Sequence, residues 1–249
     1  LDIDGDGTLD IGESDRISEN EAYYAQDASN DWWQVSASKL YATAGSSVPT
    51  TNSVQKMRLT FPGSVEEGLG TLNQEQVSID VHGNETVSRT YTDREAQTVT
   101  QITDVPDSST EGESVTVNGL RVSSQGTTGH TTTFGYDALE RQTSVTDSRT
   151  GTSTAHFNSL GQQDWTEDAA GNRTSYTFDP DTGRQVSTTD ALTNTISVAL
   201  DVKGQNLGTW GATYPVFYGF DDFARMTAMY TLRATNVTVS GYASFTNNI

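Results

Sequence analysis

TTTFGYDALERQTSVTD, residues Thr131–Asp147, decides the fold of this chain. Its first arm alternates, with Thr132, Phe134 and Tyr136 on one side and Thr133 and Gly135 on the other, the period of an extended strand. Asp137 follows the last ring, and its short side chain suits it to accept backbone N–H groups of a tight turn over Ala138-Leu139-Glu140. Gln142 to Thr146 is β-rich again. The stretch is a β-hairpin, and it recurs. TSTAHFNSLGQQDWTED (Thr152–Asp168), NRTSYTFDPDTGRQVSTTD (Asn172–Asp190), TNTISVALDVKGQNLGTWG (Thr193–Gly211) and YPVFYGFDDFARMTAMYTL (Tyr214–Leu232) share its cadence. A large apolar residue followed by Asp or Asn falls at Tyr136–Asp137, Phe157–Asn158, Phe178–Asp179, Leu200–Asp201 and Phe220–Asp221, in steps of 21, 21, 22 and 20 residues. Gly161, Gly183 and Gly204 end three of the turns, where a left-handed residue suits a three-residue hairpin loop. Second turns at Ser148–Gly151, Ala169–Asn172 and Ala191–Asn194 join the copies, so the segment reads strand, turn, strand, turn.

Working outward, weaker copies lie upstream. VHGNETVSRTYTDREAQTVTQITD (Val81–Asp104) carries Thr92-Asp93 at the anchor, and VTVNGLRVSS (Val115–Ser124) is a hairpin with Asn118-Gly119 at its tip. Trp32–Thr43 and Ser53–Phe61 read as strands, Ala44–Asn52 as a surface loop and Pro106–Glu113 as a polar, acidic connection. Ile17–Ala28 is the one segment with a helical reading. Composition agrees with an all-β chain: of 249 residues, 39 are Thr and 25 are Ser, which favour strands and turns. The organisation expected is a calcium loop or linker at 1–16, a divergent β-rich region at 17–80 and a repeat array at 81–249. The start at Leu1 and the stop at Ile249 read as the ends of a piece of a longer chain.

These copies resemble the YD repeats of the RHS family, whose motif runs roughly Tyr-Asp-x-x-Gly-Arg after a Thr-rich arm. FGYDALERQTSVTD, AHFNSLGQQDWTEDAAGN and YTFDPDTGRQVSTTD carry the likeness, which is clear from Val81 to about Arg233 and fainter from Asp31 to Asp80. The family includes bacterial RHS proteins, toxin-complex C components and animal teneurins. The resemblance implies tandem antiparallel hairpins forming a coiled ribbon or shell wall. It also implies an enclosed C-terminal toxin as partner and an affinity of the repeats for carbohydrate. Departures are Glu140 and Ala224 at the motif Gly, Gln162 and Gln205 at the motif Arg, and Leu200 at the ring. They suggest that no one ligand is bound by every copy. The paired Asp-Pro motifs that close the family's core before the toxin are not found here.

The sharpest candidate site is DIDGDGTLDIGE, Asp2–Glu13. A calcium loop of the EF-hand kind needs oxygens at positions 1, 3, 5, 7, 9 and 12 and Gly at 6. Asp2, Asp4, Asp6, Thr8 (through its carbonyl), Asp10 and Glu13 fill the oxygen positions, and Gly7 fills the sixth. The expected cofactor is therefore Ca2+; the competing reading is an acidic solvated linker. Asp181-Thr182-Gly183 matches the aspartic-protease triplet, but it falls on the third repeat's turn and has no second triplet to form a dyad. His82, His130 and His156 show no zinc spacing. Three Asn-x-Thr triplets, at Asn84, Asn172 and Asn236, are expected by chance in a Thr-rich chain.

Charge and residue types narrow the function. The sum of 14 basic and 33 acidic residues is −19, which repels nucleic-acid phosphates and anionic lipid heads, so neither nucleic acid nor membrane insertion is expected. Zero Cys removes disulfides, thiolate metal sites and Cys nucleophiles. No nucleophile–base pair or cofactor loop assembles from the motifs, so the chain is expected not to be an enzyme. Two readings remain. One is a structural wall segment of a secreted or surface bacterial protein, whose partners are neighbouring repeats of the same or identical chains. The other is a carbohydrate-binding adhesion module, with Trp32, Trp33, Trp165 or Trp210 as stacking rings beside Asp or Asn. Packing is the prior role of such rings. One sheet face is expected to carry Phe134, Tyr136, Phe157, Phe178 and Phe220, and the other Thr, Ser and Asp.

Overall fold

A computed structural model describes residues 17–41, 48–61 and 63–231. Among them there is no helix; nineteen strands follow one another, each antiparallel to its partners. No helix among the described residues is long and apolar enough to cross a membrane. Two compact units are present, one of Leu1–Phe134 with Asp147–Arg149 and one of Gly135–Thr146 with Thr150–Ile249.

The first unit holds β1 (Ser18–Gln26), β2 (Trp32–Leu40), β3 (Thr50–Arg58), β4 (Val65–Glu66), β5 (Gly70–Ile79), β6 (Glu85–Asp93), β7 (Thr98–Asp104), β8 (Gly112–Val117), β9 (Leu120–Gln125) and the start of β10 (Thr131–Tyr136). Each pairs with the next, except that β3 and the short β4 both lie along β5. The helical reading of Ile17–Ala28 is wrong. SENEAYYAQ is β1, paired over nine residues from Ser18↔Leu40 to Gln26↔Trp32. A helix this short is marginal in water alone, whereas pairing with β2 satisfies its backbone and places Tyr23 opposite Val35. The core follows the register: Val35 opposes Lys56, which opposes Val77, and Leu72 opposes Tyr91, which opposes Thr100. All of these except Lys56 are buried.

The Val115–Ser124 hairpin turns at Asn118-Gly119, both left-handed (φ 51° and 84°), between paired Val117 and Leu120. That is the type I′ geometry the Asn-Gly pair favours. Asp93 anchors the β6–β7 turn as its motif position requires, accepting from the N–H groups of Glu95 and Ala96.

The second unit continues through β11 (Gln142–Asp147), β12 (Gly151–Phe157), β13 (Gln163–Glu167), β14 (Arg173–Phe178), β15 (Gln185–Thr189), β16 (Thr195–Leu200), β17 (Asn206–Gly211), β18 (Val216–Phe220) and β19 (Met226–Thr231). From β12 onward each strand pairs with its sequence neighbour. Strand alternation puts Phe157, Phe178 and Phe220 on the same face as Ala155, Tyr176 and Tyr218. The opposite face carries Ser175, Thr189, Thr195 and Ser197, and also three rings, Trp165, Trp210 and Phe217. Phe217, 1% exposed, is the most buried large side chain of the described residues. Gly208 makes this possible. It lies directly opposite Phe217, and a Cβ on it would sit 2.3 Å from the ring's Cδ1. Trp210 stacks beside the same ring at 6.3 Å between centroids.

Candidate functional site

The repeat turns are the recurring chemical feature of the second unit. In the first copy the Asp137 N–H donates to Arg141 O and the Glu140 N–H to Asp137 O, closing a three-residue loop. Asp137 Oδ1 accepts from the N–H groups of Leu139 and Arg141, at 2.9 and 3.0 Å. Asn158 Oδ1 does the same for Leu160 and Gln162, and Asp221 Oδ1 for Phe223 and Arg225. Asp201 Oδ1 accepts from Gln205 at 2.7 Å. Asp179 caps a four-residue loop, accepting from the N–H of Thr182 and from its hydroxyl, both at 2.8 Å. All five anchors start turns, as their spacing requires. The last loop residue is left-handed in every copy: Gly161, Gly183 and Gly204, and also Glu140 (φ 63°) and Ala224 (φ 66°). Glu140 and Ala224 therefore hold the same left-handed backbone as the three glycines.

Sequence reasoning missed that the joining turns use the same chemistry. Asp168 Oδ1 accepts from Ala170 and Asn172, and Asp190 Oδ1 from Leu192 and Asn194. The Asn side chains then donate to the other carboxylate oxygen, at 2.8 Å in the first pair and 3.0 Å in the second. Asp80 with Asn84 repeats the arrangement in the first unit. The signal was legible as Asp-x-x-x-Asn at all three places. These bonds hold the carboxyls below the usual carboxylate range. The Asn amide is the first cause at Asp80, Asp168 and Asp190, the Arg141 guanidinium at Asp137, the Thr182 hydroxyl at Asp179, and the Arg225 N–H at Asp221.

The residue just after the anchor turn, Arg in three copies and Gln in two, reaches the next copy in the first four, while Arg225 in the fifth pairs with its own Asp221. Gln162 Nε2 donates to Gly183 O at 2.8 Å, and Gln205 Nε2 to Ala224 O at 3.1 Å. Arg184 donates to Asp201 O at 2.8 Å and to Val202 O at 3.2 Å. Arg141 pairs with Asp137 and lies over the Phe157 ring, 4.3 Å from its centroid. Gln162, Arg184 and Gln205 thus share one mechanical role, each bringing N–H donors on a long arm to the next turn's carbonyls.

The aromatic candidates separate. Trp165 is taken on both sides: His156 of β12 stacks on it at 5.3 Å and 2° between planes, and the Arg173 guanidinium of β14 lies 3.9 Å from its centroid. Asp164 in turn holds His156 Nδ1 and Glu167 holds the Arg173 guanidinium. Trp210 packs with Phe217. Trp33 remains at a groove in the first unit. A cavity of about 380 Å³ there is lined by Tyr23, Trp33, Val35, Val77, Asp27 and Lys56, among others. Trp33 Nε1 donates to Asp27 Oδ2 at 2.9 Å, the first cause of that carboxyl's low pKa. Beside it, Arg58 joins Asp31 and Glu75, and Glu75 also accepts from Arg89, a half-buried ion network across β3, β5 and β6.

Asp181-Thr182-Gly183 sits in the third turn, where the Asp181 N–H points to Asp179. His130 lies between Ser148 Oγ, 3.0 Å from Nδ1, and Asp147 Oδ2, 2.8 Å from Nε2. Asp2, Asp4, Asp6, Thr8, Asp10 and Glu13 fall outside the described residues. Among the described residues no three His, Asp or Glu side chains converge on a common point.

No family model matches the chain, and no curated protein matches it. Solved structures similar to it include the crystal structure of TcdB2-TccC3-Cdc42, at 10% identity over 84% of this chain with a TM-score of 0.44. The crystal structure of TcdB2-TccC3 follows at 11% over 84%, with a TM-score of 0.43. The Photorhabdus luminescens Tc holotoxin pore is similar at 10% over 82%, with a TM-score of 0.40. The present chain spans 12–13% of the length of those chains.

Proposed function

We propose that this chain is a structural wall segment of a secreted or surface bacterial RHS-type protein, enclosing a toxin cargo or building an extracellular shell or fibre, and that it is not an enzyme. The observation that carries this reading is the staple at repeat pitch, in which Gln162, Arg184 and Gln205 each tie one turn to the next. A hairpin that cannot bury its own face gains stability only against neighbours, so stapled copies form a stiff array whose length grows with copy number. The YD-repeat resemblance supplies the enclosing role. The test is limited proteolysis of the parent protein with and without residues 131–231. Protection of a downstream domain that is lost on deletion supports enclosure; protection unchanged by the deletion overturns it. Turnover of a peptide, glycan or nucleotide substrate abolished by substituting Asp181, His130 or His156 would overturn the non-enzyme reading.

Calcium binding at Asp2, Asp4, Asp6, Thr8, Asp10 and Glu13 is part of the proposal. It is carried by their spacing and expected at about 10⁻⁴ to 10⁻³ M, the range of extracellular modules. Calorimetry with calcium on an upstream-extended chain tests it, with Asp4→Ala abolishing the heat. A second reading, carbohydrate recognition, is favoured by the groove where Trp33 and Tyr23 lie beside Asp27 and Lys56. Glycan-array binding lost in Trp33→Ala and kept in Trp165→Ala supports it; equal loss in both variants, or no binding at all, rejects it.

A further inference from the structure

Six turn tips of the second unit are large and apolar where turns are ordinarily polar, while the turns at Pro180–Gly183 and Ala169–Asn172 carry no such residue. Along the edge formed by the anchor turns, Leu139 is 71% exposed, Leu160 74%, Val202 89% and Phe223 80%. Only the third turn of that edge, Pro180-Asp181-Thr182-Gly183, lacks a large apolar tip. On the opposite edge, formed by the joining turns, Leu192 is 80% exposed and Tyr214 78%. Packing among the described residues leaves these side chains largely exposed, with the Arg225 guanidinium 5.3 Å from the Phe223 ring centroid.

The polar atoms beneath the tips are already occupied. On the anchor-turn edge the N–H groups of Leu139, Leu160 and Phe223 go to the Asp and Asn anchors, and the carbonyls of Gly183, Asp201, Val202 and Ala224 accept from the staples; on the joining-turn edge the Leu192 N–H goes to Asp190. A partner laid over these tips therefore covers apolar side chains without stranding those N–H groups and carbonyls. In a meander each edge carries one turn per two strands. Both edges consequently have the same pitch, about 10 Å from a strand spacing near 4.8 Å. A partner that seats successive tips must share that pitch, and the other edge of an identical chain does.

We infer that the anchor-turn edge of one copy docks on the joining-turn edge of a second copy, tip against tip. The contact is heterologous, so an assembly of any length keeps one free edge of each kind and growth continues laterally. The charge of −19 opposes it at long range, and salt relieves that repulsion. The inference rests on reading the hairpins as wall material.

Sedimentation velocity of the 249-residue chain across a concentration series tests it. The expected result is a mass that rises above 26.9 kDa without a plateau at the dimer, and rises further at high salt. Leu139→Asp with Leu160→Asp removes one edge, and Leu192→Asp with Tyr214→Asp the other. Each double variant alone should remain monomeric with an unchanged far-UV spectrum. Mixed, they should form a one-to-one pair that goes no further, because each keeps the edge the other needs. A chain that stays at monomer mass throughout, or association that survives both double variants, overturns the inference. Loss of cargo protection with this association intact strikes only the enclosing role, and the converse strikes only the edges.

Discussion

Gln162 donates through Nε2 to the backbone oxygen of Gly183, 2.8 Å away and one repeat further along the chain. The acceptor is a turn carbonyl, so no side chain at position 183 is needed to receive the bond. Gln162→Ala removes this bond and the one that Gln162 Oε1 accepts from Asn158 at 2.8 Å, and should destabilise by about 1–3 kcal/mol, twice the net value of a neutral hydrogen bond. Gln162→Arg should lose less, since Arg184 makes the same kind of link. Urea unfolding midpoints measure both, and equal losses in the two variants would show that the donor is unimportant.

Gly208 and Phe217 form a matched pair. Gly208→Ala places a methyl 2.3 Å from a ring that is 1% exposed and has no room to retreat. The overpacking should cost about 1–3 kcal/mol. Phe217→Ala should cost about 3–5 kcal/mol through lost burial and the cavity left behind. The double variant should be less destabilised than the sum, because the clash disappears with the ring. Thermal and urea melts of the three variants close the cycle; additivity would mean that the two residues do not touch.

Ala224 holds a left-handed φ of 66° that an L side chain resists. Ala224→Gly should therefore stabilise, by about 0.5–1 kcal/mol after the entropy cost of glycine. Gly161→Ala, at φ 82°, should destabilise by a similar amount. A loss of stability in Ala224→Gly would contradict the turn geometry.

Acid should act on the turns together. In the folded chain Asp27, Asp80, Asp137, Asp168, Asp179, Asp190 and Asp221 are all held below the ordinary carboxyl pKa of 3.8. As pH falls, the unfolded chain takes up these protons first, so stability must fall with pH in that range. The contribution of these groups is fully present above about pH 3.8 and is lost as pH drops through the lower folded values. Melting temperature against pH should show a decline beginning near there. Asp168→Asn combined with Asp190→Asn should make the decline shallower.

The hairpins were legible because a turn is a local event. An Asp or Asn after an apolar residue, a left-handed residue three or four positions later and an alternating arm all lie within about ten residues, and each has its own physical reason. Asn118-Gly119 and the five anchors followed from that alone. The joining turns carried an equally local Asp-x-x-x-Asn signal that went unused. Ile17–Ala28 misled because its Glu and Ala residues favour helix locally, and only the nine-residue pairing with β2 overrides them.

Over the repeat copies from Thr131 onward the sequence by itself determined the order of strands, the turn positions and a pitch of about 21 residues, since each depends on neighbours along the chain. The tertiary structure alone decided which donors reach which carbonyls, that Trp165 is taken by His156 and Arg173, and that Phe217 sits over Gly208. It also decided that Leu139 and Leu192 stand out at the turn tips. Those relations join residues on separate strands or measure what surrounds a side chain. They exist only once the cross-strand register is set, and a shift of one residue would send every side chain to the opposite face.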